Sequence, residues 1–372
     1  MSRTTFRDRL LASAHHAVAR LASELREDGS YGPRHQDLAS YYKSPALFLA
    51  AGRWDLADRV LGFIAQRFLR EDGDFQTPEA GKTDDPELAA RPGYPNGWIA
   101  VAAQRLGRFE VSEPAWSHFK RYFHPGLGGG CVEGPHEPGA ARRIDMLMTA
   151  HLGLSALFFG DGEVAHRAEQ VLVRFLDQQP EPAARMLLRM DESGALVQEL
   201  AGEQTRDHQV RADASDQAWP SIGHAIGFLA LLHRITGSGE ALRAARGYLD
   251  FALACPVLPG EPRAHQVAWA AALLGEISQA PPYFDLSVAI ARVLMAGQGS
   301  GGLWRDADGD VAPHTSFDQT AETALCLLEI ARVEAIASRP ERASAEVSSS
   351  AWRRGVGAWS LRHRTTGTQG DA

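Results

Sequence analysis

Lysine is nearly missing from this chain: of the 38 Lys and Arg residues, only Lys43, Lys82 and Lys120 are lysines. With abundant alanine, that reads as the coding bias of a high-GC bacterial genome, and by itself it carries no functional weight. Cysteine is scarce too. Cys131, Cys255 and Cys326 lie far apart with no CxxC pair, which argues against a disulfide framework or a zinc site. Cys326, inside the apolar run TALCLLEI, is expected to be a buried inert thiol. Positive charge is not in surplus: a formal net charge of −8 argues against a nucleic-acid surface, which needs a basic footprint. No apolar run of about 18 residues occurs, so no integral membrane segment is expected. The N-terminus, MSRTTFRDRLL, lacks the apolar core of a signal peptide, and the cytoplasm is the expected address. Sustained period-two alternation is absent, which argues against an α/β fold. Absent too are a phosphate-cradling glycine loop, a GxSxG elbow and an HExxH pair.

What is present is a repeat. Its unit is a glycine-containing turn, often with an aromatic, followed by two helical stretches. The turn is DGSYGP at 28–33, DGDFQTP at 72–78, GLGGGCVEGP at 126–135, DESGALVQ at 191–198 and GSGGLWRDADG at 299–309, with a degenerate copy, CPVLPGEP, at 255–262. Within each unit the first helical stretch is apolar nearly all round, as in IDMLMTAHLGLSALFF. The second is striped, as in WDLADRVLGFIAQRFL, where Leu56, Val60, Phe63 and Ile64 recur at three- and four-residue steps. A helix hydrophobic on every side is buried and a striped one lies at the surface. Two concentric layers of helices satisfy both, so the expected fold is all-α: an (α/α)6 toroid of about six helical hairpins. In it RDRLLASAHHAVARLASEL, near the N-terminus, pairs with the last inner helix around the ring. The toroid should span 1–337. The polar, aliphatic-poor stretch 338–372, with Trp352 and Trp359, is expected to be disordered or loosely docked.

Turns such as GSGGLW, each followed by an apolar helix and then an amphipathic one, resemble the repeats of the terpenoid-cyclase and protein-prenyltransferase α/α-toroid superfamily, over roughly residues 5–336. Class II members use a DxDDTA motif whose middle aspartate protonates an alkene or epoxide. Two half-matches stand here. Ser316-Phe317-Asp318-Gln319-Thr320-Ala321 keeps the middle acid, the threonine and the alanine. Asp213-Ala214-Ser215-Asp216-Gln217-Ala218 keeps the first and last acids. The zinc ligands of the superfamily's lanthionine cyclases and prenyltransferases have no counterpart, so no metal and no cofactor is expected. The resemblance also implies that the inner helices begin at one end of the barrel, with their first turns lining the cavity mouth.

The candidate site residues follow from that placement. Asp216 and Asp318 each read as opening an inner helix, where aspartate also serves as an N-cap, and Glu322 lies four residues after Asp318 on the same face; their other role is a paired-carboxylate or carboxylate–histidine acid/base set. His224, eight residues after Asp216, falls within about 80° of it round a helix. His265 opens the next inner helix, and His314 sits just before Asp318. Histidine is the side chain suited to proton transfer near neutral pH, so each is a candidate base or a packed structural group. Tyr42 and Lys43, the latter notable for lysine's rarity, cluster at the first inner helix. Tyr94, Asn96 and Trp98 occupy the equivalent place one repeat on, and Asp145 one further. Trp219, Trp269 and Trp304 either floor the cavity or belong to the core. His151 is expected to be packed. Asp84, Asp85 and the DADGD turn read as solvated. The leading expectation is an acid/base cyclase, isomerase or lyase on a small, partly apolar metabolite, with Asp318 as acid and His224 or His265 as base. The alternatives are a carbohydrate-active epimerase, hydrolase or lyase, and a non-catalytic binding toroid. The partner is a small-molecule substrate.

Overall fold

The alternation of an all-apolar helix with a striped one repeats six times around a ring. The computed structural model describes residues 5–33, 35–78, 81–82, 86–134, 142–198, 208–304 and 313–333. The tail from 338, Asp84, Asp85 and the DADGD turn lie outside them. Helix α1 (Phe6–Glu24) comes first, followed by the hairpin α2 (Ser44–Ala50) with α3 (Trp54–Phe68). After the short α4 (Pro86–Ala90) come α5 (Tyr94–Leu106) with α6 (Phe109–Phe119), and α7 (Met146–Phe159) with α8 (Gly162–Asp177). Then follow α9 (Trp219–Thr236) with α10 (Gly239–Ala254), and α11 (His265–Ser278) with α12 (Pro281–Ala296). The last helix, α13 (Pro313–Ala331), packs on α1, so the sixth pair joins the two ends of the fold.

The first helix of each hairpin, together with α13, makes the inner ring: α2 packs on α5, then α7, α9, α11 and α13 in turn, and α13 packs back on α2. This is the (α/α)6 toroid predicted by the repeat, with the N-terminal helix placed as expected. The outer helices show one buried stripe each. In α3 it is Leu56, Ala57, Val60, Leu61, Ile64 and Phe68; in α8, Val164, Ala165, Ala168, Val171, Leu172 and Phe175. Their starts are fixed locally. Thr5 and Asp8 form a capping box on α1, and Asp161 and Ser238 cap α8 and α10. Inner helices α5, α7 and α9 stop at Gly107, Gly160 and Gly237, each in the left-handed region that L-residues avoid. The chain reverses there within a few residues.

Close packing of α9 on α11 needs a glycine. A Cβ on Gly223 would lie 2.5 Å from the Gln266 carbonyl carbon, so no larger residue fits there without moving α11 and the groups at its start. Among the described residues four short strands also occur, in two antiparallel pairs. β1 (Ile144–Asp145) pairs with β3 (Arg189–Met190), and β2 (Arg185–Leu187) with β4 (Gln209–Arg211). At two or three residues each they are too short to alternate visibly in sequence, and they hold Arg189 beside Asp145. All three cysteines are buried. No helix among the described residues is long and apolar enough to cross a membrane.

Candidate active site

One end of the ring gathers the beginnings of the inner helices and, with them, most of the buried charge. Lys43 is the residue before α2 and is only 5% exposed. Its Nζ donates to Asp318 Oδ2 at 2.8 Å and to Glu322 Oε2 at 2.5 Å. The two carboxylates stand one turn apart on α13, on the same face. Two like charges so placed and so buried repel strongly, and an ammonium between them is what makes the arrangement tolerable. Burial opposes the charge on Lys43, but Asp318 and Glu322 outweigh it and hold the ammonium well above its ordinary range. Burial likewise pushes Glu322 up, and Lys43 and His265 more than reverse that, leaving its carboxyl well below the usual range.

Glu322 has two further neighbours from the start of α11. Gln266 Nε2 donates to its Oε1. His265 Nε2 faces its Oε2 at 3.4 Å. A ring nitrogen beside a carboxylate takes the N–H form, which leaves the other nitrogen as the base. Both ring nitrogens are buried without a hydrogen-bond partner among the described residues; Nε2 has the Glu322 carboxylate beside it, which leaves Nδ1 as the candidate base. A cavity of about 270 Å³ opens onto these groups, lined by Tyr42, Lys43, Tyr94, His265, Gln266 and Glu322, with Arg91, Gln217, Ser221, Arg263 and Gln319 around them. Leu88, Ala90, Leu147, Ala218 and Pro220 supply its apolar share. A larger hollow of about 480 Å³ lies at the opposite end, between the α7–α8 and α9–α10 turns. It is shallow, holds no comparable cluster, and its one buried acid, Glu169, bonds the Ser238 that caps α10.

Tyr94 forms the cavity's second polar corner. Its ring stands 6.2 Å from that of Tyr42, and the Lys43 ammonium lies over both rings at 5.9 and 5.0 Å. Its hydroxyl meets His224 Nε2 at 3.4 Å, and His224 Nδ1 donates to the Pro220 carbonyl at 2.9 Å. Nε2 is therefore the acceptor for the phenol. Burial pushes His224 down to about 4, so the ring is neutral at pH 7. His151 and Trp98 complete the aromatic layer behind Tyr94. Packed, as expected, His151 donates from Nε2 to the Tyr94 carbonyl at 3.1 Å.

Other expected site residues have different positions. Asp216 does not open a helix: α9 begins at Trp219, and Asp216 is an exposed turn residue with φ 52° whose N–H donates to Glu261. The helical relation to His224 therefore does not hold. Asp318 does not cap α13 either, since that helix starts at Pro313 and Asp318 is in its second turn. His314 falls in the first turn, and its side chain lies outside the described residues. Asp145 does cap α7, accepting from Met148 N at 3.0 Å, and is further held by Arg91 and Arg189. Burial would raise its carboxyl, but the two guanidinium groups keep it low. Its bonds are structural. So are those of Asn96, which accepts from Lys82 at 2.9 Å and donates to the Gly73 carbonyl.

The three tryptophans do not floor the cavity. Trp219 is fully buried with its ring 6.4 Å from that of Phe251 on α10, Trp269 packs against Gly227, and Trp304 donates from Nε1 to the Leu294 carbonyl at 2.7 Å. The pairing of Glu322 with Asp318 on one face of α13 is as its i, i+4 spacing implies; Gln266 was missed as a site residue and had no signal beyond its place after His265.

Comparison with solved structures finds enzymes of the α/α-toroid class. A D-mannose isomerase superposes with a TM-score of 0.62 at 13% identity, covering 88% of this chain and 99% of that one. The type II terpene cyclase MstE from Scytonema gives 0.56 at 14%, covering 87% and 98%. A GH76 α-mannanase from Bacteroides thetaiotaomicron gives 0.60 at 11%, covering 88% and 96%. No family model and no curated protein matches the sequence. At such identities the likeness establishes the fold, and three unlike reactions on one fold leave the chemistry to the residues of the cavity.

Proposed function

We propose that the protein is an acid/base isomerase or epimerase acting on a small polar hydroxy-carbonyl compound, in the manner of a monosaccharide. The observation that carries this reading is the carboxylate–imidazole pair at the cavity wall: the Glu322 carboxylate stands 3.4 Å from His265 Nε2, neither ring nitrogen has a hydrogen-bond partner among the described residues, and Nδ1, the one away from that contact, is taken as the base. His265 Nδ1 removes the proton from the carbon next to a carbonyl. Glu322 stabilises the imidazolium that forms, as a carboxylate does in other acid/base pairs. A lysine ammonium has three donors; two of Lys43's engage Asp318 and Glu322, and the third serves the enolate oxygen.

The polar lining suits a hydroxylated substrate better than a hydrocarbon, and about 270 Å³ is at the small end for ligand pockets. That moves the substrate class from partly apolar to polar. Protonation of an alkene by Asp318 is the weaker reading, because a carboxylate engaged by an ammonium at 2.8 Å favours its ionised form and has no proton to give. The reading takes the chain as one toroid over 1–337, working in the cytoplasm.

The test is deuterium incorporation from D2O. Aldoses, ketoses and uronic acids are screened beside isoprenoids for exchange at the carbon next to the carbonyl. His265→Asn is expected to lower exchange roughly 10²–10⁴-fold, the size of a general-base contribution. Undiminished exchange in that variant, or turnover confined to isoprenoids, would sink the proposal.

A further inference from the structure

Resting on the reading of His265 as the base for the carbon-bound proton, we propose that Tyr94, oriented by His224, is a second catalytic group that carries the proton between the two oxygens of the substrate's hydroxy-carbonyl pair.

Exchanging a carbonyl with its neighbouring hydroxyl needs two proton movements. One is between carbons. His265 takes the proton from the hydroxyl-bearing carbon, the C–H electrons become the new C=C bond, and the carbonyl π electrons move onto oxygen as an enediolate. The other is between oxygens: the former carbonyl oxygen gains a proton and the former hydroxyl oxygen loses one. While His265 holds the carbon's proton for return to the adjacent carbon, it is not available for the second transfer. Arg91 and Arg263 do not give up protons, the lining glutamines have no acidic proton to exchange, and the Lys43 ammonium is held in its charged form by two carboxylates. Of the hydroxyl-bearing residues that line the cavity, Tyr42, Tyr94 and Ser221, Tyr94 is the one to which the structure gives an imidazole acceptor.

The geometry holds this residue at its backbone, its ring and its hydroxyl, the ring lying 4.6 Å from that of His151. The Tyr94 carbonyl accepts from His151 Nε2 at 3.1 Å, and the hydroxyl lies 3.4 Å from His224 Nε2, whose other nitrogen is committed to the Pro220 carbonyl. Helices α5, α7 and α9 thus converge on one side chain. The Tyr94–His224 contact is long for a hydrogen bond, as such contacts are before substrate closes on them. In the shuttle the Tyr94 O–H turns from His224 Nε2 and gives its proton to the former carbonyl oxygen, the phenolate oxygen takes the proton of the neighbouring hydroxyl, and the O–H returns to Nε2. The phenol ends as it began, His265 returns its proton to carbon, and no other reactant is needed. His224 acts as a positioning residue, keeping the hydroxyl in the plane where both oxygens are reached.

The test separates the two movements. Substrate incubated in D2O is followed by NMR for label washed into recovered substrate, which reports His265, and for product, which also needs the oxygen-to-oxygen transfer. Tyr94→Phe should keep exchange within about tenfold while product formation falls roughly 10²–10³-fold. His224→Leu should give the same split, and His224→Gln, which keeps an acceptor near the hydroxyl, should recover part of the product. Exchange and product falling together in Tyr94→Phe, or product unaffected, overturns the shuttle. If the unaltered protein washes label into no hydroxy-carbonyl compound, the reading of His265 falls first, and the shuttle with it.

Discussion

Replacing Lys43 by methionine probes the centre of the site, and its outcome can be worked from the structure. The side chains of Lys43, Asp318 and Glu322 are 5%, 11% and 6% exposed, so the ammonium is the cation that compensates two nearly dry carboxylates. Removing one partner of such a pair costs about 3–5 kcal/mol, because the remaining charge stays buried without its counter-charge. With unfolding entropies of about 2.1 cal/mol/K per residue, 372 residues give at most about 0.8 kcal/mol per degree, so Tm should fall by roughly 5 °C.

The pH dependence is the sharper signature of Lys43→Met. In the native protein the Glu322 carboxyl titrates below its ordinary 4.5, so its stabilisation is present above about that pH and is lost as pH falls through the lower, folded value. Lys43 is raised above 10.5, so its share is present below that and is lost as pH rises through the folded value. Between about pH 5 and 10 the native pair contributes fully. In Lys43→Met the main cause of the low Glu322 value is gone, while burial and the neighbouring Asp318 still favour protonation, so the folded carboxyl rises above its unfolded value. The variant then gains stability as pH falls, and its deficit should be largest near pH 8 and shrink toward pH 5. Guanidinium unfolding at those two pH values measures it, with Lys43→Met/Glu322→Gln expected to lose less than the single variant. A deficit under about 1 kcal/mol at pH 8, the range of exposed pairs, or one that does not change with pH, would refute the account of Lys43 as a buried counter-charge.

Asp145→Ala should cost about 3–5 kcal/mol from the unpaired Arg91 and Arg189, and Asp145→Asn about 1 kcal/mol less, since asparagine still caps α7; the difference in denaturation midpoints isolates the cap. Asp216→Gly should leave stability within about 1 kcal/mol, because glycine accepts φ 52° more readily than aspartate, and should leave turnover unchanged. A loss near the ~10²-fold expected of an acid/base group would return Asp216 to the site.

The fold was legible because its signal is periodic and local. Each inner helix carries apolar residues all round, each outer helix a stripe, and a glycine turn separates one hairpin from the next, so the six pairs could be read without knowing any long-range contact. The closure of α13 on α1 was readable for the same reason: one all-apolar and one striped helix were left over, and a ring supplies each with the partner it lacks. Helix starts were less legible. Asp216 and Asp318 look like caps by residue type, but α9 begins three residues after the first and α13 five residues before the second. In α9, Pro220 sets the first turn without a side-chain cap, and the sequence gives no sign that it displaces the aspartate.

The site was half legible, and the division has a physical cause. Tyr42, Lys43, Tyr94 and His265 could be placed because they stand at inner-helix starts, and the ring carries every such start to one end. What the sequence could not rank was which polar residue at a start faces the hollow and which is consumed by its neighbours. Asn96 and Tyr94 are two residues apart on α5; a step of two turns a helix by about 200°, and that rotation sends Tyr94 to the cavity and Asn96 outward to Lys82. Lys43 and Lys82 show the same limit from the other side. Both are buried, each is bonded to a carboxylate at 2.5 Å, and in sequence both are merely rare. Lys43 meets acids 275 and 279 residues away, across the closure of the ring, where its ammonium can serve a substrate. Lys82 meets Asp74 eight residues away, and Asn96 and the Pro92 carbonyl engage it further. A lysine ammonium has three donors; in Lys82 all three are engaged within the fold, whereas the carboxylates on Lys43 take two. That remaining donor is the physical difference between a lysine that pins a loop and one that can act on a ligand.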